Sequence, residues 1–173
     1  MRAALTILHA AALTLWLGGL VTLFLFVQVL FKTDRALAAS AAPILFRAFE
    51  LYQLGLLVIA LLSLMGWRLL VCSRCKKWMM ALVLVAGALA VVQTAWVSAR
   101  MRALTAGGQA AASPDAGAEF RRLHGYSMVL YSGQTVLLAA AACLLPSAIR
   151  AEADGPVSPF PGRPRTTPQT PPV

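Results

Sequence analysis

The chain has 173 residues, of which 60% are apolar and only 12% charged, with a net charge of +9. A soluble domain carries roughly 25% charged residues, so an ordinary soluble enzyme, a disordered chain and a disulfide scaffold are excluded and a membrane protein is indicated. The basic residues flank long apolar runs, where they meet lipid phosphate, and no aromatic and basic platform accompanies them. Membrane lipids are therefore the expected partners, and nucleic acid is not.

Four apolar segments are long enough to span a bilayer, at about 20 residues each. The first, residues 3–31, contains no Asp, Glu, Lys or Arg. A secretory h-region is about 7–15 residues long, so this one reads as a retained helix and not a cleaved leader. Thr14, Gly18 and Thr22 stand at four-residue spacing along it, a face on which backbones can approach.

The second span covers about 48–71. Pro43 suits a first helical turn, and residues 43–52 are amphipathic, as if lying at the interface before the chain dives in. Glu50 is the one carboxylate beside a span, with Arg47 three residues earlier as its expected partner. At the far end stands Cys72-Ser-Arg-Cys75. The third span, about 78–98, repeats the small-residue spacing with Ala86, Ala90, Thr94 and Ser98.

The fourth span covers about 126–147, and its helix is expected to start early, at Ser113-Pro114-Asp115, a cap, a first-position proline and an acid at the positive dipole end. Phe120, His124, Ser127, Tyr131, Gln134, Thr135 and Leu138 fall within one stripe of it. So many polar groups on one face are expected to look into the bundle or a wet cavity, not at lipid. After residue 149 the composition changes. Seven of the ten prolines lie in 156–172, so residues 150–173 are expected to form a disordered proline-rich tail after a transmembrane domain of residues 1–149. The fold expected is all-α: an integral membrane four-helix bundle of antiparallel up-down spans.

Four spans place both termini and the link between helices 2 and 3 on one side, here side A. Eight basic residues fall there and seven on side B. The tightest cluster, Arg74-Cys75-Lys76-Lys77, is in the shortest link, which puts side A in the cytoplasm. Trp67 and Trp78 are expected to belt one interface, and Trp96 and Tyr126 the other.

This arrangement brings Gln28, Gln53, Gln93, Gln134, Glu50, Tyr131 and His124 into the half of the bilayer nearest side B. A polar pocket there, lined by His124, Ser127, Tyr131, Gln134, Gln93, Gln28, Gln53 and Glu50, would bind a small ligand or lipid. No nucleophile elbow, phosphate loop, zincin helix or carboxylate pair is present, so a non-enzymatic role without a cofactor is expected: ligand or lipid binding, a transport-associated part, or a scaffold unit. Four helices make a thin wall, so a homo-oligomer or larger membrane complex is a natural partner. The alternative is a metal- or redox-active site of Cys72, Cys75, Cys143 and His9 on side A.

The run Phe120-Arg-Arg-Leu-His124-Gly125-Tyr-Ser127-Met-Val-Leu130-Tyr131 resembles the F-x-x-L-H-G-x-S-x-x-L-Y signature of a bacterial membrane family, the domain of unknown function number 4149. Leu15-Trp16-Leu17-Gly18-Gly19-Leu20 is similar to its first-helix motif, and Phe46-Arg-Ala-Phe49 to the start of its second. The resemblance implies a four-helix protein of the bacterial inner membrane, with kinship to eukaryotic transmembrane protein 205. It points to His124, Ser127 and Tyr131 and implies no reaction, ligand or cofactor.

Overall fold

The computed structural model describes residues 2–70, 74–106 and 113–153, with side chains at 3–67, 76–106 and 113–150. Within these the chain is helical almost throughout. The helices are α1 (Arg2–Thr33), α2 (Arg35–Leu70), α3 (Arg74–Val92), a π-helical turn (Gln93–Ser98), α4 (Ala99–Ala106) and α5 (Pro114–Ala153). α3, the π turn and α4 follow one another without a break, so four helices are long and apolar enough to cross a membrane. The expected all-α four-helix architecture is the one observed.

The second helix starts earlier than the sequence signals suggest. Asp34 alone links α1 to α2: its N–H donates to Leu30 O at 2.9 Å, and its carbonyl accepts from Ala38 N at 3.0 Å. Its Oδ1 also accepts from the N–H groups of Ala36 and Leu37, at 2.9 and 3.0 Å. This caps the first turn, and the alanine-rich run that follows propagates the helix. Pro43 therefore sits in the interior of α2 and not in its first turn. The fourth helix begins at Pro114, with Gly117 N donating to Ser113 O at 3.0 Å. The tail from residue 154 on lies outside the described residues.

α1 packs chiefly on α2 and α3 on α5, while α1–α5 and α2–α3 contacts close the ring. The core is a column of Leu13, Trp16, Leu20, Leu56, Leu64, Trp67, Met79, Val83, Leu138 and others. A second, smaller cluster of Val97, Leu104 and Leu123 sits under α4. Lipid tails are as apolar as leucine, so close fit rather than burial holds such a bundle together. Two glycines show that fit. A Cβ on Gly87 would stand 2.6 Å from Leu57 Cδ1, and one on Gly19 would stand 2.9 Å from the Phe49 ring.

Three expectations need correction here. The stripe of Thr14, Gly18 and Thr22 does not pack inside the bundle. It lines an outward-facing groove of about 680 Å3 between α1 and α2, together with Leu45, Ala48 and Phe49. The inward line of α1 is instead His9, Leu13, Trp16, Leu20 and Leu23. Trp67 does not belt the interface but is fully buried, with Lys76 Nζ 4.1 Å from its ring centroid. Trp78, Trp96 and Tyr126 are exposed as interfacial rings should be. And Arg47 is exposed and does not hold Glu50.

Candidate functional site

The polar groups of the interior come from one line on each helix. On α2, Glu50 and Gln53 are one turn apart and both face inward, 1% and 0% exposed. On α5, the inward line is Leu123, Ser127, Tyr131, Gln134, Leu138 and Ala141, all buried at steps of three and four residues. On the rod of α3 the line runs through Ala86 and Ala90 to Gln93, where the backbone widens into the π turn. Such a turn re-aims side chains and recurs at functional positions.

Gln93 is the hub of the side-B half. Its Nε2 donates to Ser127 Oγ at 2.9 Å, across to α5, and to Ser98 Oγ at 3.0 Å, at the end of its own π turn. The Tyr131 hydroxyl is buried without a hydrogen-bond partner in the protein. Its ring is held edge-on by Phe24 and tilted against Phe46, with both centroids at 5.8 Å. Glu50 Oε2 accepts from Arg102 Nη1 at 3.1 Å, an ion pair in which the carboxylate is buried and the arginine side chain is 42% exposed. Arg102 thus reaches in from the rim and closes the side-B end over Glu50. A buried carboxylate is costly in a bilayer unless it is paired, which is why this contact matters locally. Beside it, Arg100 Nε donates to Glu119 Oε1 at 2.7 Å on the exposed rim.

The sequence-predicted pocket residues divide. Glu50, Gln53, Gln93, Ser127, Tyr131 and Gln134 are gathered inside the bundle. Gln28 and His124 stand on its outer surface. The cause at His124 is helical phase: the inward line passes through Leu123, and the next residue is turned about 100° away. Thr135, at the edge of the stripe, donates its hydroxyl to Tyr131 O at 2.9 Å within its own helix.

On side A, His9 is buried. Its Nδ1 lies 3.1 Å from Ala60 O and 3.3 Å from Ser63 Oγ, and its ring is 6.2 Å from that of Trp67. Cys143 is exposed on the outside of α5. Cys72, and the side chain of Cys75, lie outside the described residues. Among the described residues no group of three or more His, Cys, Asp or Glu converges.

Sequence reasoning missed Arg102 as the partner of Glu50, and Lys76 and Trp16 as interior groups. Arg102 is 52 residues from Glu50, and no local spacing signals such a pair. Lys76 reads as a link residue from its charged neighbours, but it lies in the first turn of α3, buried with its Nζ over the Trp67 ring.

Four membrane-spanning helices around a polar interior make this an integral membrane protein. The chain belongs to the family described as Domain of unknown function (DUF4149), whose match covers residues 11–110. The matched stretch ends before α5, so it includes Glu50, Gln53, Gln93 and Arg102 but not the Phe120–Tyr131 motif. Comparison with curated proteins and with solved structures finds no match.

Proposed function

We propose that this protein is a non-enzymatic, transport-associated unit that binds a small polar ligand or a lipid headgroup in the side-B half of the bundle, at Glu50, Gln53, Gln93, Ser127, Tyr131 and Gln134. One observation carries the reading. Both amide ends of Gln53 and of Gln134, and Oε1 of Gln93, are buried without a hydrogen-bond partner in the protein. Buried polar groups are almost always partnered, by protein, by ordered water or by a bound guest. An interior that keeps amides open is suited to a polar guest, and Arg102, half in water, is placed to admit it.

The protein would sit in a bacterial inner membrane with both termini in the cytoplasm, supported by the Arg74 to Lys77 cluster at the start of α3. Kinship with eukaryotic transmembrane protein 205 would follow from the family resemblance. A homo-oligomer would give the thin four-helix wall the neighbours a transport path needs.

Native mass spectrometry of the full chain released from mild detergent tests the binding. The expected result is an added mass on the wild type that is lost in Gln53→Leu and Gln93→Leu. A bare chain under every solution condition, or an added mass that both variants keep, would sink the reading.

A further inference from the structure

The unpartnered polar atoms do not stop at the side-B half. Trp16 Nε1 and His9 Nε2 are also buried without a protein partner. Packing contacts fix their levels. His9 meets Ala60 and Ser63 on α2, and Gly19 meets Phe49 and Tyr52, so Trp16 is level with Gln53. Gly87 meets Leu57, Gly133 meets Leu89 and Gln93 bonds Ser127, so Gln134 is level with Leu57. Measured along α2, the polar groups therefore stand at the levels of residues 50, 53, 57 and 60–63. Successive levels are about 4–7 Å apart at 1.5 Å per residue. From Glu50 to Trp67, where Lys76 lies, is about 25 Å, against a hydrocarbon core of about 30 Å. Buried polar atoms thus recur within the apolar core at levels through most of the bilayer.

We propose that the bundle carries protons along these levels, between Glu50 at the side-B end and His9 at the side-A end, through water held by Gln53, Tyr131 and Gln134 and oriented by Trp16 Nε1, which only donates. The two ends suit the task. Glu50 is the one buried carboxylate among the described residues, and its partner Arg102 is partly in water, so the pair can open to the side-B surface. Glu50 is paired with Arg102 from α4, and Tyr131 from α5 is close enough to feel its charge. At the other end Ala60 O can only accept, so the hydrogen bond to it assigns the His9 proton to Nδ1. That leaves Nε2, the unpartnered nitrogen, as the basic one. Lys76 lies with its Nζ over the ring of Trp67, which His9 also neighbours.

The step balances simply. A proton from side-B water binds the Glu50 carboxylate as Arg102 withdraws. It moves through water held by the glutamine amides, is accepted at His9 Nε2, and leaves that same nitrogen for side-A water, so that the Nδ1 proton stays hydrogen-bonded to Ala60 O and the imidazole returns to its starting tautomer. One proton is taken up on one side and one given off on the other, driven by the proton gradient and membrane potential alone.

The test uses the full chain reconstituted into phosphatidylethanolamine and phosphatidylglycerol liposomes, with a pH-sensitive dye inside and a potassium diffusion potential set by valinomycin. Wild type should acidify the lumen faster than protein-free liposomes. Glu50→Gln and His9→Gln should return the rate to the protein-free level. Gln134→Leu should cut the rate while unfolding at a temperature no lower than wild type, because it replaces unpartnered amide atoms by apolar ones. That variant separates lost conduction from lost folding. Wild-type flux equal to protein-free liposomes overturns the proposal, and so does wild-type flux in all three variants. Bound mass and proton flux are independent readouts, so the binding reading and this one can fail separately.

Discussion

Two stripes of small residues read alike in the sequence and end in opposite places. Thr14, Gly18 and Thr22 on α1 face outward and line a groove open to lipid. Ala86 and Ala90 on α3 are fully buried against α2 and α5. Four-residue spacing says only that another backbone could come close. Which stripe is used depends on where the large side chains go. On α1, Leu13, Trp16 and Leu20 fill the interior and push Gly18 to the outside, while its neighbour Gly19 receives the Phe49 ring. On α3 the large partner comes from α2, and Gly87 gives Leu57 its space. Thr14 of the outer stripe satisfies its hydroxyl locally, donating to Ala10 O at 2.8 Å within its own helix.

The comparison breaks most sharply at Ala86. Ala86→Leu forces three extra heavy atoms into a closed interface and should cost up to about 3 kcal/mol, read by thermal or denaturant unfolding in detergent. Thr14→Leu, on the outer stripe, should stay within about 0.5 kcal/mol of wild type; an equal loss at both positions would mean that the outer stripe is packed against something in the membrane. Next in size is Gly87→Ala, where the clash with Leu57 should outweigh the helix propensity gained and leave a net loss of about 1 kcal/mol. Gly18→Ala meets nothing within 4 Å and should lose no stability in the same assay. Gln93→Leu removes the hydrogen bonds to Ser98 and Ser127, each worth about 0.6 kcal/mol in a membrane interior, so unfolding should shift by about 1 kcal/mol and ligand mass should be lost with it. A small effect is expected at His124→Ala too, within about 0.5 kcal/mol and with no change in bound mass, since the imidazole is on the outer surface.

Much of the candidate site was legible because α5 writes it at helical spacing. Ser127, Tyr131 and Gln134 recur at four and three residues, and a polar group so deep in an apolar segment must turn inward. Gln53 and Gln93 followed from counting depth along antiparallel spans. What was not legible has a common cause. His124 differs from Leu123 by one residue, and the phase of an inward stripe is fixed only by the neighbours it packs on. Arg47 and Arg102 compete for Glu50. Helical proximity favours the first, but the inward turn of Glu50 carries its carboxylate away from Arg47 and toward the rim beneath α4.

The division between sequence and tertiary structure is therefore physical. Composition and run length alone determine that the chain crosses a membrane four times, because a bilayer accepts only long apolar helices whose backbone bonds are closed internally. Cap chemistry determines the start of α5. Tertiary packing decides the rest: that α2 begins at Asp34, that α3 widens at Gln93 to reach Ser127, that Arg102 seals Glu50, and that Lys76 lies inside over Trp67. Each depends on groups tens of residues apart meeting at one depth, and the sequence records residue order along a helix but not the rotation of one helix against the next.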